Sequence, residues 1–133
     1  MAWRGVNLTN NEGRSATAAI AEGVFVKSAT YPTCTTAGSG EKTLGVSIEA
    51  AEAANDPVPV AKTGAIVRML VLANSPNITI GDCLKAGTGG KGVKATVNGE
   101  CIGAVGLEAA TADDVWIWVE VLPPSSTFAA TLE

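Results

Sequence analysis

Two neighbouring carboxylates, three thiols and one glycine-rich loop are the residues of this chain that could do chemistry. Asp113-Asp114 is the best pair for acid–base work, but it stands in a turn before Val115, where two solvated turn acids are the plainer reading. The chain has no histidine. The commonest general base is therefore missing, and Ser-His and Cys-His nucleophilic pairs are excluded. Cys34, Cys83 and Cys101 show no Cys-x-x-Cys spacing. Zinc wants about four ligands, so the three read as free thiols. Gly87-Thr-Gly-Gly-Lys-Gly92 invites comparison with a phosphate-binding loop. That loop needs a glycine five positions before the Gly-Lys pair, and Ser or Thr after the lysine. Here those positions are Lys85 and Gly92. No catalytic site, metal site or cofactor is expected, and the chain reads as a non-enzyme.

Recognition is better represented. Val115, Ile117, Val119 and Val121 take one face of a strand, and Trp116, Trp118 and Glu120 the other. Both faces are apolar over most of the strand, so both need cover. Trp is enriched at interface hot spots. Trp116 and Trp118 are therefore candidates for a subunit interface, with burial inside a closed barrel as the alternative.

The elements that would position these residues are short strands. An internal repeat runs through the chain, offset by about 58–59 residues. Gly23-Val-Phe-Val-Lys27 returns as Gly81-Asp-Cys-Leu-Lys85, and Gly40-Glu41 as Gly99-Glu100. Val46-Ser-Ile-Glu-Ala-Ala51 returns as Val105-Gly-Leu-Glu-Ala-Ala110, and Val58-Pro-Val60 as Ile117-Trp-Val119. Two copies of one β-unit, about 23–60 and 81–119, are implied. With turn signals roughly every ten residues and no long helix, the pattern predicts an all-β fold. It should be a small β-barrel or sandwich of two similar units, with an extended N-terminal arm.

Three regions follow. Residues 1–15 form the arm, closed by a turn at Asn10-Asn-Glu-Gly13. Residues 16–122 form the β-domain, and residues 123–133 a C-terminal tail. The arm carries Trp3, Arg4, Val6 and Leu8, candidates for contact with a larger surface, although Trp3 could tuck back onto its own domain. Pro57 and Pro59 remove two donors from one side of a strand, which predicts a sheet edge or bulge. The stretch from Tyr31-Pro32 to Glu41 reads as a hairpin loop, and Asn98-Gly99 as a two-residue hairpin turn.

Composition narrows the partners. The 133 residues suit one domain, and 47% are hydrophobic. Only 17% are charged, and the net charge is −4 with no basic cluster. Nucleic-acid binding is not expected, because phosphate neutralisation needs Lys and Arg. No signal-peptide pattern or membrane-spanning run is present, so synthesis in a cytoplasm is expected, with no membrane partner.

The strands Leu44-Gly-Val-Ser-Ile-Glu-Ala-Ala51, Gly64-Ala-Ile-Val-Arg-Met, Ile80-Gly-Asp-Cys-Leu-Lys85 and Ile102-Gly-Ala-Val-Gly-Leu-Glu-Ala-Ala110 resemble those of the capsid decoration, or cement, proteins of tailed bacteriophages. The resemblance covers roughly residues 15–121. It departs at Leu44-Gly45, where the family has Ile-Gly, and at Pro57 and Pro59. It implies a structural virion protein on the outer surface of the capsid, a homotrimer that stabilises the head by joining major capsid protein subunits. The competing reading is a receptor- or glycan-binding β-module on a virion, its Trp pair stacking on sugars.

Overall fold

A computed structural model describes residues 11–129. The chain order is β1 (Asn11–Ala16), β2 (Phe25–Ser28), β3 (Thr33–Thr36), β4 (Gly45–Ser47), β5 (Pro57–Ala61), β6 (Ile66–Leu72), β7 (Cys83–Ala86), β8 (Gly92–Lys94), β9 (Ala104–Gly106) and β10 (Asp113–Val121). Among the described residues, one 3-10 turn at Thr88–Gly90 interrupts them. The strands close into two five-stranded barrels with neighbours in the order β1-β3-β2-β4-β5 and β10-β6-β8-β7-β9. The fold is all-β and built from two similar units, as the sequence predicts. Each unit closes on itself, which removes free strand edges.

The repeat is carried by the backbone more faithfully than by the side chains. Isolated bridges join Ile20 to Ala51 and, in the second unit, Ile78 to Ala110. Gly23 N–H donates to Ser47 O, and Gly81 N–H to Gly106 O. Ile48 N–H donates to Pro59 O, and Leu107 N–H to Trp118 O. Among the described residues, the two non-glycine residues with positive φ, Asn55 (73°) and Asp114 (61°), occupy matching places before β5 and within β10.

The first barrel packs Ile20, Val24, Val26, Leu44, Val58 and Val60 inside itself. Phe25 points the other way and joins the core of the second barrel with Met69, Leu84, Ile117 and Val119. Adjacent Phe25 and Val26 are both fully buried. One fills a barrel and the other fills the joint between the two. At the joint Gly103 lies so close to the Phe25 ring that an added Cβ would stand 2.6 Å from it. Leu70 N–H donates to Gly23 O and Gly40 N–H to Ala86 O, both across the joint at 2.9 Å.

Several local expectations are corrected. Residues 11–15 of the expected arm, including the turn at its end, belong to β1. This strand pairs with β5 from Asn11↔Ala61 to Ser15↔Pro57. It is almost wholly polar, so hydrophobic alternation does not reveal it. Ladder bonds and the ion pairs of Glu12 with Arg14 and Lys62 secure it. Pro57 and Pro59 do not mark an outer strand, since β5 pairs with β1 on one side and β4 on the other. β4 ends at Ser47, opposite Val60. Ile48 then gives its N–H to Pro59 O, so the donorless flank of the prolines faces the place where that ladder runs out. The loop expected from Tyr31 to Glu41 contains β3, which pairs with β2. Asn98-Gly99 is no hairpin turn, because β7 lies between β8 and β9. The hairpin of that unit joins β7 to β8 through the glycine-rich run.

Candidate interaction surfaces

The groups that could do chemistry are dispersed. Asp113 accepts the Asn74 N–H at 3.1 Å, and Asp114 pairs with Lys91 at 2.6 Å. These acids hold turns together, and Lys91 of the glycine-rich run is engaged in doing so. Cys34 is buried in β3, and Cys83 and Cys101 are half-buried free thiols. Burial pushes the Cys34 and Cys83 thiols up, away from the reactive thiolate. Among the described residues, no three His, Cys, Asp or Glu side chains gather closely enough to hold a metal ion.

Two surfaces stand out instead. The first is the outer face of β6 and β10. Trp116 stands opposite Leu70, Trp118 opposite Arg68 and Glu120 opposite Ile66. Val115, Ile117, Val119 and Val121 face inward, and neither indole enters a barrel. Trp116 rests on Gly23 of the first barrel, with the Arg68 guanidinium 5.9 Å from its ring centre. It keeps 37% of its surface exposed, as does Leu107, whose N–H donates to Trp118 O, and Ile66 keeps 38%. Trp118 is half-buried. Its N–H donates to Glu108 Oε1 at 3.1 Å. The matching residue of the first unit is Pro59, which has no N–H to satisfy.

The second surface is a groove of about 480 Å³ at one end of the first barrel, lined by Lys27, Glu41, Lys42, Thr43, Leu44 and Pro124. Lys27 and Glu41 pair across it at 2.8 Å. Glu41 Oε1 also accepts the Gly38 N–H at 2.6 Å. Lys27 beside it, helped by that N–H, holds the carboxyl below the ordinary glutamate value. The second unit repeats the device. Lys85 pairs with Glu100, which also accepts the Val97 N–H at 3.0 Å and is likewise held below its ordinary value. There, however, residues 126–128 of the C-terminal tail lie across the matching place.

The structure thus brings Trp116 and Trp118 onto one outward face. Trp3, Arg4, Val6 and Leu8 lie outside the described residues. Sequence reading missed the groove and the tail that fills its counterpart. The signal was present, since Lys27 and Glu41 recur together as Lys85 and Glu100.

No protein-family model matches the chain, and no curated protein sequence matches it. Among solved structures, the chain is similar to the head fiber gp8.5 N base of bacteriophage phi29. The TM-score is 0.68 at 12% sequence identity, over 90% of this chain and 97% of that one. At that identity the likeness is one of fold, and it takes in both barrels.

Proposed function

We propose that this chain is a non-enzymatic structural protein of a tailed-phage virion. It sits on the outer surface of the head, where it reinforces contacts between major capsid protein subunits. The observation that carries this reading is the fold shared, over nearly the whole length of both chains, with a protein that is a head fiber base. A cement protein and a fibre base face the same physical task. Each must present a rigid body to a curved, symmetric shell. Two closed barrels that share the Phe25 joint form such a body. The aromatic face around Trp116 and Trp118 is the self-interface of a homotrimer in this reading. Residues 1–10, with Trp3, Arg4, Val6 and Leu8, are the peripheral element that reaches a neighbour.

A ligand that binds only the assembled lattice stabilises it by mass action. The test uses heads of the encoding phage assembled without this protein. Added protein should sediment with them, appear on the outer surface by cryo-EM, and raise the temperature at which the heads release DNA. Protein that stays in the supernatant at micromolar concentration overturns the reading.

A further inference from the structure

The two units differ in one covering strand. In the second barrel, Ile102 N–H donates to Ser126 O at 3.2 Å, Phe128 N–H to Glu100 O at 2.9 Å, and Gly99 N–H to Phe128 O at 2.9 Å. Cys101 lies opposite Thr127 in an antiparallel bridge. By the repeat, the matching stretch of the first barrel is residues 40–43. Gly40 N–H is taken there by Ala86 O across the joint. Thr43 N–H and Glu41 C=O match Ile102 N–H and Glu100 C=O. Among the described residues neither has a hydrogen-bond partner. Thr43 is only 4% exposed as a residue, and a backbone N–H without a protein acceptor is uncommon at such a place. The groove opens along this stretch, between Leu44 and Pro124.

The second barrel fills its place because the chain beyond β10 makes a turn, closed by Ser126 N–H on Pro123 O at 3.0 Å, and then again runs antiparallel to residues 99–102. The chain beyond β5 cannot do so, since residues 62–65 turn at once into β6. The missing strand must come from elsewhere.

We propose that residues 1–10, donated by a neighbouring copy, add as an antiparallel strand along residues 41–43 of the first barrel. This rests on the reading above that copies associate. Ten residues reach up to about 33 Å, far more than the three that need to pair. Val6 and Leu8 alternate with Asn7 and Thr9, so one side of the strand suits the apolar walls of the groove and the other suits water. The segment enters β1 at Asn11, opposite Ala61, which stands opposite Val46 of β4. The donor therefore leaves the body at the same end of the barrel as the groove, roughly 10 Å away across two strand spacings. Direction decides between copies. A strand antiparallel to residues 41–43 runs like β5, whereas β1 runs against β5. A chain's own segment would have to reverse fully within a few residues. A neighbour's segment has no such constraint.

The test is hydrogen exchange at the Thr43 amide in solution, without heads. It compares the full chain with one lacking residues 2–9, each at assembling and dilute concentration. We expect exchange in the assembled full chain to be about tenfold or more slower than in the truncated chain, and dilution to abolish the difference. The Met69 amide, deep in the second barrel, serves as the control for folding and should not change. Equal Thr43 exchange in the two chains overturns the proposal. Protection that survives dilution overturns donation, because the segment then folds onto its own copy. Protection that appears only when heads are added names the shell as the donor and also overturns it. Head binding, measured separately, reports on the proposed function whatever the exchange shows.

Discussion

Gly23 lies directly beneath the Trp116 indole: a Cβ at position 23 would stand 2.2 Å from Cζ3 and 2.6 Å from Cη2 of that ring. Gly23 also has φ at +77°, and its carbonyl accepts the Leu70 N–H at 2.9 Å. The turn before β2 is thus gripped between β6 and β10 of the other barrel. Gly23→Ala meets two penalties, about 1–2 kcal/mol for the left-handed backbone and about 1–3 kcal/mol for the displaced ring. A fall of about 2–5 kcal/mol in urea unfolding is expected. Trp116→Ala should remove the steric part, so the double variant should be less destabilised than the sum of the two single ones. An equal cost of Gly23→Ala with and without Trp116 would mean that the indole is not what the glycine makes room for.

The outer face of β6 and β10 leads to a second expectation. If it is the self-interface, replacing Trp116 and Trp118 together by Ser should leave monomers whose barrels still fold. Each indole at such a site contributes on the order of 2 kcal/mol or more. Light scattering on the double variant reads the outcome directly. Unchanged mass removes the face as the interface. A chain that no longer unfolds cooperatively would show that Trp116 serves the joint with Gly23 above all.

The barrel strands were legible wherever a strand buries one face. Leu44, Val46 and Ile48, and then Val115 to Val121, alternate in period two, and the repeat blocks fall on matching strands of the two units. What escaped was whatever lacks that alternation. β1 is held by its ladder and by Glu12, whose partner Lys62 is fifty positions away. No local pattern encodes that pairing. The joint escaped because Phe25 and Cys83 occupy equivalent sites with opposite fates, one fully buried and one half-exposed. Asn98-Gly99 misled because a good hairpin dipeptide can equally serve a crossover. Of the surfaces, the Trp face was visible as a strand apolar on both sides. The groove was not, since it exists only by contrast with the filled place in the other unit.

Three carboxylates set the response to acid. Lys62, and after it Arg14, hold the Glu12 carboxyl below the ordinary value of 4.5. Lys27 does the same for Glu41, and Lys85 for Glu100. A folded-state value below the unfolded one contributes stability that is fully present above about 4.5 and is lost as pH falls through the lowered value. Stability should therefore be flat from neutral pH down to about 5 and decline below about 4.5. Glu12→Gln should flatten the decline more than Glu41→Gln, because Glu12 serves two cations at once and Glu41 is open to solvent. Urea midpoints at pH 7, 5, 4 and 3 check this. A decline that is just as steep in Glu12→Gln would shift the cause to other acids.

The C-terminal tail should behave as a part of the second barrel. Ending the chain after Leu122 strips the acceptors from Gly99 N–H and Ile102 N–H and the donor from Glu100 C=O. Ile102 is 6% exposed with the tail in place, so its N–H and side chain are both uncovered by the cut. Water can replace some of the lost bonds, which keeps the cost to about 1–3 kcal/mol. The loss should stay near residues 99–102, because Leu122 N–H keeps its bond to Gly103 O and the ladder of β9 with β10 is untouched. Hydrogen exchange should accelerate at Ile102 and leave Val26 in the first barrel unchanged. An Ile102 amide that exchanges at the same rate in the shortened chain would show that the tail lies on the barrel without holding it, and that the matching groove of the first barrel has no strand to miss.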